Sequence, residues 1–235
     1  SPHVVKRNIF PKVLNDIKLY YIEYFDYFMN QKNSLGLDSC FLDLDDPIEL
    51  FNKWMSEAEK KEINDPNALS LATTSKNNEP SVRMVLLKGL SQKGFVFYTN
   101  LNSPKSKDLK NNPKASMCFH WKSIQRQVRI SGNVSQVADQ EADDYFNSRP
   151  YESRIGAWAS DQSEIMKARE ELSKKIDKFK NKYSDPKNLP RPKYWSGWCL
   201  NPLSVEFWLG DKYRIHERLK YNKISNKWKK EILYP

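Results

Sequence analysis

Between residues 68 and 137 the chain alternates short apolar runs with turn signals, and this rhythm restricts it to a mainly β, antiparallel architecture. The runs are Ala68–Thr74, Val82–Leu90, Gly94–Asn100, Ala115–Trp121 and Gln127–Val137. Asn77-Asn78-Glu79-Pro80, Gln92-Lys93-Gly94 and Asn111-Asn112-Pro113 separate them. A short predicted helix, Ser106–Asn111, interrupts the series. Three further strands are predicted over Ser204–Leu209, Arg214–Tyr221 and Lys227–Leu233. A meander of this kind often closes into a barrel.

Helical periodicity flanks the strands. Asp46-Pro47 supplies an N-cap and a first-turn proline, and Ile48, Leu50, Phe51, Trp54, Met55 and Ala58 follow at helical spacing to about Lys61. Further helices are predicted over Asp139–Ser148 and Asp161–Tyr183, the second highly charged, with a proline-rich loop at Asp185–Pro192. Residues 1–45 read as a separate, partly helical arm, with a helix-like stretch from about Val13 to Met29. Residues 46–235 read as one domain, a β-barrel with peripheral helices.

Composition narrows the chemistry. The seven glycines form neither GxGxxG nor GxxxxGK[ST], so a Rossmann turn and a P-loop are excluded, and any phosphate must be held by side chains. The net charge of +10 favours anionic partners. Three dispersed cysteines and three histidines, none at metal-ligand spacing, argue against a disulfide framework or a metal site. No apolar run is long enough to span a membrane, and no membrane partner is expected. A cytoplasmic location is expected, with organellar import by a removed segment as an open alternative.

Five clusters carry candidate chemistry. Arg83-Met84-Val85-Leu86-Leu87-Lys88 brackets an apolar strand with cations, which strand alternation places on opposite faces unless a bulge intervenes. Tyr98-Thr99-Asn100 runs into a short helix whose first turn carries Ser103, Lys105, Ser106 and Lys107, a setting that favours anions. Gln125, Gln127 and Arg129 share a strand face, with amides suited to the edge of a heterocycle. Tyr145, Arg149 and Ser153 recur at a spacing of four and are expected to converge on one phosphate, Ser153 from the turn after the helix. Arg214, His216 and Arg218 are expected to point the same way along a strand, with Trp208 one short connection upstream. The bland alternative for each is a solvated strand end, a helix cap or a packed ring.

Taken together, RMVLLK (83–88), FYTN (97–100), RQVRISG (126–132), YFNSRPYESRIGAWAS (145–160), DQS (161–163), YWSGW (194–198), VEFWLG (205–210) and RIHER (214–218) resemble the pyridoxine/pyridoxamine 5′-phosphate oxidase family. The resemblance implies an antiparallel, FMN-binding split β-barrel and a homodimer with FMN at its interface. It implies oxidation of pyridoxamine 5′-phosphate or pyridoxine 5′-phosphate to pyridoxal 5′-phosphate by O2, releasing H2O2 and, from the amine, ammonia. By position, Arg83, Met84, Val85, Leu86, Leu87, Lys88, Tyr98, Thr99, Lys105, Gln127, Gln162, Ser163, Trp208 and Arg218 would hold FMN. Lys88, Tyr145, Arg149 and Ser153 would meet the substrate phosphate. Arg214 and His216 would cover the pyridine ring and act as the catalytic pair. Pro104-Lys105 departs from the family's Arg-Lys, and Glu217 replaces its Asp.

Two rivals make different predictions. Another split-barrel flavoprotein would lack the set Tyr145, Arg149, Ser153, Arg214 and His216. A nucleic-acid-binding module would be colourless, with salt-sensitive oligonucleotide binding; no nucleic-acid partner is expected on the preferred reading.

Overall fold

The computed structural model describes residues 32–235, which fall into two compact units, 32–44 and 45–235. The helix predicted over Val13–Met29 lies outside the described residues. In the first unit Asn33 Oδ1 accepts the N–H groups of Leu35 and Leu37, and Asp38 caps a 3-10 turn at Ser39–Phe41 through Cys40 N–H.

The second unit is one antiparallel sheet of nine strands, curled around an aromatic core. The strands are β1 (Ala68–Thr74), β2 (Pro80–Leu86), β3 (Gly89–Ser91), β4 (Gly94–Asn100), β5 (Lys114–Trp121), β6 (Arg126–Gln136), β7 (Trp195–Leu209), β8 (Glu217–Ile224) and β9 (Lys227–Ile232). Their order is β2-β1-β5-β6-β7-β4-β3, with β8 on β7 and β9 on β8. Alternation decides which side is core. Leu69, Leu71, Met117, Phe119, Val128, Ile130, Val205, Phe207, Leu219 and Tyr221 point inward and are buried. Val82, Met84 and Leu86, on the opposite face of β2, are exposed apolar side chains.

Helix α1 (Pro47–Lys61) closes the core, with Asp46 capping Ile48 N–H at 2.8 Å. Phe51 meets Phe95 and Phe119 edge-on at 5.0 Å each, and Trp54 meets Phe207 at 5.1 Å. Such contacts add to the large area these rings remove from water. The remaining helices are α2 (Pro104–Asn111), α3 (Asp139–Ser148), α4 (Tyr151–Ala159) and α5 (Arg169–Lys182). No helix among the described residues is long and apolar enough to cross a membrane.

Several predicted elements are corrected. The run Val82–Leu90 is not one strand, because the backbone changes partners. Leu87 N–H bonds to Asn67 O beside β1, and Lys88 N–H bonds to Val96 O on β4. The alternation argument for Arg83 and Lys88 therefore fails. Helix α2 starts two residues before the predicted Ser106, with Pro104 at its first turn. Helix α4 was not predicted. Pro150 ends α3 but also suits a helix start, so the chain re-enters a helix at once. The helix predicted from Asp161 begins only at Arg169: Ser163 is left-handed at φ 72°, which interrupts a helix there, and the backbone is still extended at the N-cap Ala168, at φ −149°. β7 starts nine residues before the predicted Ser204, at Trp195, and long enough to pair with β4, β6 and β8. Arg214 and His216 are off any strand. β8 begins at Glu217, and Arg214 is left-handed at φ 62° in the preceding turn.

Candidate active site

A cleft of about 620 Å³ opens where β2, β4, α2, α3 and α4 meet. β4 supplies its floor. Its register with β7 sets Tyr98 opposite Gly197, Thr99 opposite Ser196 and Asn100 opposite Trp195. Gly197 is required there. A Cβ on it would lie 2.8 Å from the Tyr98 ring. Tyr98 stacks on Tyr145 at 3.9 Å and on Trp195 at 5.3 Å, all three rings nearly parallel. Burial pushes the Tyr98 phenol up to about 12, so it is neutral at physiological pH.

At one end of the cleft lies Lys105, 8% exposed, on the first turn of α2. Its Nζ donates to Gln162 Oε1 at 2.8 Å and to Thr99 Oγ1 and Ser103 Oγ at 3.2 Å. All three acceptors are neutral. Burial first, then the neighbouring Arg83 charge, bring the Lys105 ammonium down to about 8. Ser103, at the N-cap position of α2, makes no side-chain cap; its hydroxyl and that of Ser106 both donate to Asn100 O. Arg83 sits behind this end on β2, donating to Leu71 O at 3.1 Å, Thr73 Oγ1 at 2.7 Å and Ser81 Oγ at 2.5 Å. Burial lowers its pKa, opposed by the Asp108 carboxylate.

At the other end, Tyr145 on α3, Arg149 at the α3 C-cap and Ser153 on α4 come together. The three do not share one helix face. The break at Pro150 brings Ser153 round on a second helix. The Arg149 guanidinium lies 4.8 Å over the Trp195 ring, and its buried Nη1 has no hydrogen-bond partner. Lys88 also lines the cleft, and no carboxylate does.

Comparison with known proteins then decides the family. The family model described as "Pyridoxamine 5′-phosphate oxidase" matches residues 55–183, and the one described as "Pyridoxine 5′-phosphate oxidase C-terminal dimerisation region" matches 195–235. A pyridoxine/pyridoxamine 5′-phosphate oxidase of Pelagibacter ubique is 62% identical over 208 residues, covering 88% of this chain and 100% of that protein. The chain belongs to the pyridoxine/pyridoxamine 5′-phosphate oxidase family. An oxidase of the same name from Bartonella henselae is 50% identical over 86% of this chain and 99% of that protein. Among solved structures, PhzG of Burkholderia lata in complex with tetrahydrophenazine-1-carboxylic acid matches with a TM-score of 0.79 at 28% identity, covering 85% of this chain and 97% of that one. A pyridoxamine 5′-phosphate oxidase-related, FMN-binding protein of Nostoc punctiforme shares the fold, with a TM-score of 0.66 at 16% identity over 81% of this chain and 98% of that one.

Of the residues singled out from this family's pattern, Met84, Val85, Leu86, Lys88, Tyr98, Thr99, Lys105, Tyr145, Arg149, Ser153 and Gln162 line the cleft. Leu87 is buried, and Ser163 lines a separate hollow of about 190 Å³ with Asp161 and Glu164. Gln127, Trp208, Arg218, Arg214 and His216 are not in the cleft lining. Register places Gln127, Trp208 and Arg218 side by side across β6, β7 and β8, on the face opposite the core. Arg218 donates through Nε to the buried Glu206 at 3.0 Å and through Nη1 to Tyr234 O at 2.9 Å. Gln125 precedes β6 in a left-handed conformation, so it does not extend the face of Gln127 and Arg129. Sequence reasoning gave Trp195 no role, although YWSGW was among the matching stretches; its place under Arg149 needed the β4–β7 pairing.

Proposed function

We propose that this chain is an FMN-dependent oxidase that converts pyridoxamine 5′-phosphate or pyridoxine 5′-phosphate to pyridoxal 5′-phosphate, with O2 as acceptor and H2O2, plus ammonia from the amine, as co-products. The observation that carries this reading is the convergence of Lys88, Lys105 and Arg149 on one cleft that no carboxylate lines. Cations gathered without a countercharge are costly until an anion arrives. Two such ends in one cleft suit two phosphates.

The residues fit a phosphorylated flavin. The buried Lys105 ammonium meets only neutral oxygens, and Arg83 adds a second cation behind it. Arg83 and Lys105 would take the FMN phosphate, with Thr99, Gln162 and the Met84–Lys88 segment along the rest of the molecule. When bound, the flavin supplies the two-electron redox chemistry that these side chains lack. Lys88, Tyr145, Arg149 and Ser153 would hold the phosphate of the vitamer. Trp195 fixes the Arg149 guanidinium from below, leaving its unpaired Nη1 for a phosphate oxygen. Anchoring the substrate far from its reacting carbon orients that carbon.

The site is shared between two copies of the chain. Val82, Met84 and Leu86 expose an apolar strip on the outer sheet face, and a second copy would cover it. Gln127, Trp208 and Arg218, with Arg214 and His216, would then complete the partner's cleft. The match of residues 195–235 to a dimerisation region supports this arrangement. The visible spectrum of the purified protein tests the reading together with peroxide release on adding pyridoxamine 5′-phosphate. Oxidised-flavin absorbance and peroxide are expected. A colourless protein that releases no peroxide, even with FMN supplied, would sink it.

A further inference from the structure

The turn between β7 and β8 holds an arrangement that the resemblance did not assign. Three hydrogen bonds converge on Asp211. Its Oδ1 accepts Tyr213 N–H at 3.0 Å, its carbonyl accepts Arg214 N–H at 3.2 Å, and its own N–H donates to His216 Nδ1 at 3.1 Å. Gly210 N–H ties the start of the same turn to Gln125 O at 2.8 Å. The His216 ring lies 4.6 Å from the Trp208 ring, which limits how it can rotate. Arg214, at φ 62°, occupies a conformation that costs a non-glycine residue energy and persists only where its surroundings impose it.

A backbone amide can only donate, and an imidazole nitrogen that accepts from it carries no proton. The N–H of His216 therefore lies on Nε2, the nitrogen turned away from Asp211. We propose that Asp211 is a positioning residue, which holds His216 as its Nε2–H tautomer and sets Arg214 in its left-handed conformation. His216 then meets the substrate as a hydrogen-bond donor and not as a base. The Asp211 side chain matters because its turn with Tyr213 N–H sets the direction of the Asp211 backbone N–H. This inference rests on Arg214 and His216 acting on the substrate, as proposed above.

Long-range proton–nitrogen correlation spectra of the ¹⁵N-labelled holoenzyme at neutral pH test it. The chain has only three histidines, His3, His120 and His216, and the His216→Asn spectrum identifies the third. In the wild type, Nδ1 of His216 is expected to report as unprotonated and Nε2 as protonated. Asp211→Asn keeps an oxygen for Tyr213 N–H and should preserve both tautomer and turnover. Asp211→Ala should mix the tautomers and lower kcat by on the order of tenfold to a hundredfold, the range a misplaced group produces, with KM and flavin content nearly unchanged. A protonated Nδ1 in the wild type would overturn the inference, whether or not the variants fold. So would an Asp211→Ala protein that keeps tautomer and kcat intact, or one that loses kcat without any change of tautomer. A colourless, inactive wild type counts against the functional reading; the tautomer is read without turnover and judges Asp211 separately.

Discussion

On the proposed reading, Lys105 would trade stability for binding of the flavin phosphate. Its ammonium is buried among neutral oxygens beside Arg83, with its pKa brought down to about 8. An unfolded lysine titrates near 10.4, so the charged form is disfavoured on folding; the cost is full below pH 8 and fades as pH rises from 8 to 10.4. Lys105→Met is expected to raise the stability of the flavin-free protein at pH 7 by on the order of 1 kcal/mol in urea unfolding, relief of the buried charge being partly offset by the lost hydrogen bonds to Gln162, Thr99 and Ser103, while weakening FMN binding. A bound phosphate restores the lysine's higher pKa. FMN affinity, followed by quenching of flavin fluorescence, should therefore be level between about pH 7 and 8, above the second ionisation of the phosphate, and fall about tenfold per pH unit above pH 8, a decline absent from Lys105→Met. On the same reading, Arg149 would act through shape as well as charge. Arg149→Ala should raise KM for the phosphorylated substrate with flavin content unchanged. Arg149→Lys should not restore it, since an ammonium lacks the planar stack on Trp195. Steady-state kinetics of both variants with pyridoxamine 5′-phosphate checks this.

At the scale of elements, the cleft depends on how β4 and β7 lie together. Gly197 leaves room for the Tyr98 ring, and an added Cβ would meet that ring at 2.8 Å and Val137 at 3.0 Å. Gly197→Ala should cost about 1–3 kcal/mol and move Tyr98 off Tyr145 and Trp195, detectable as a loss of near-ultraviolet circular dichroism and of flavin affinity together. Phe51→Ala on α1 makes the contrasting case. It removes a ring buried against Phe95, Phe119 and Trp121, so it should cost about 3–5 kcal/mol while the folded fraction keeps its KM. α1 was legible in advance because Asp46, Pro47 and the apolar stripe agree with one another. α4 was not, because Pro150 reads equally as the end of one helix and the start of the next.

For the whole molecule, the residues marked by the family pattern divide between two places. Arg149 lies in the cleft, and Arg214 lies on the β7–β8 turn outside the cleft lining. If two copies share each site, Arg149→Ala and Arg214→Ala impair different halves of it. Random mixed dimers of the two variants should then regain about a quarter of wild-type activity, half of the dimers having one intact site. Arg214→Ala alone should keep its flavin absorbance and lose most turnover. Activity in the mixture no higher than in either variant alone would contradict a shared site.

The amino-acid sequence determined the strand succession, the cap and stripe of α1, the absence of glycine-rich phosphate loops and the identity of most cleft residues. These follow from local periodicity, turn chemistry and motif order, which need no knowledge of what lies opposite. Tertiary structure decided the rest. The handover of Leu87 and Lys88 from β1 to β4, the length of β7 and the seat of Arg149 on Trp195 all depend on partners far away in the chain, and the left-handed turn at Arg214 depends on bonds to Asp211 that periodicity does not announce. Strand parity carries no information past a change of partner, so spacing along RMVLLK and RIHER was not enough to place their cations.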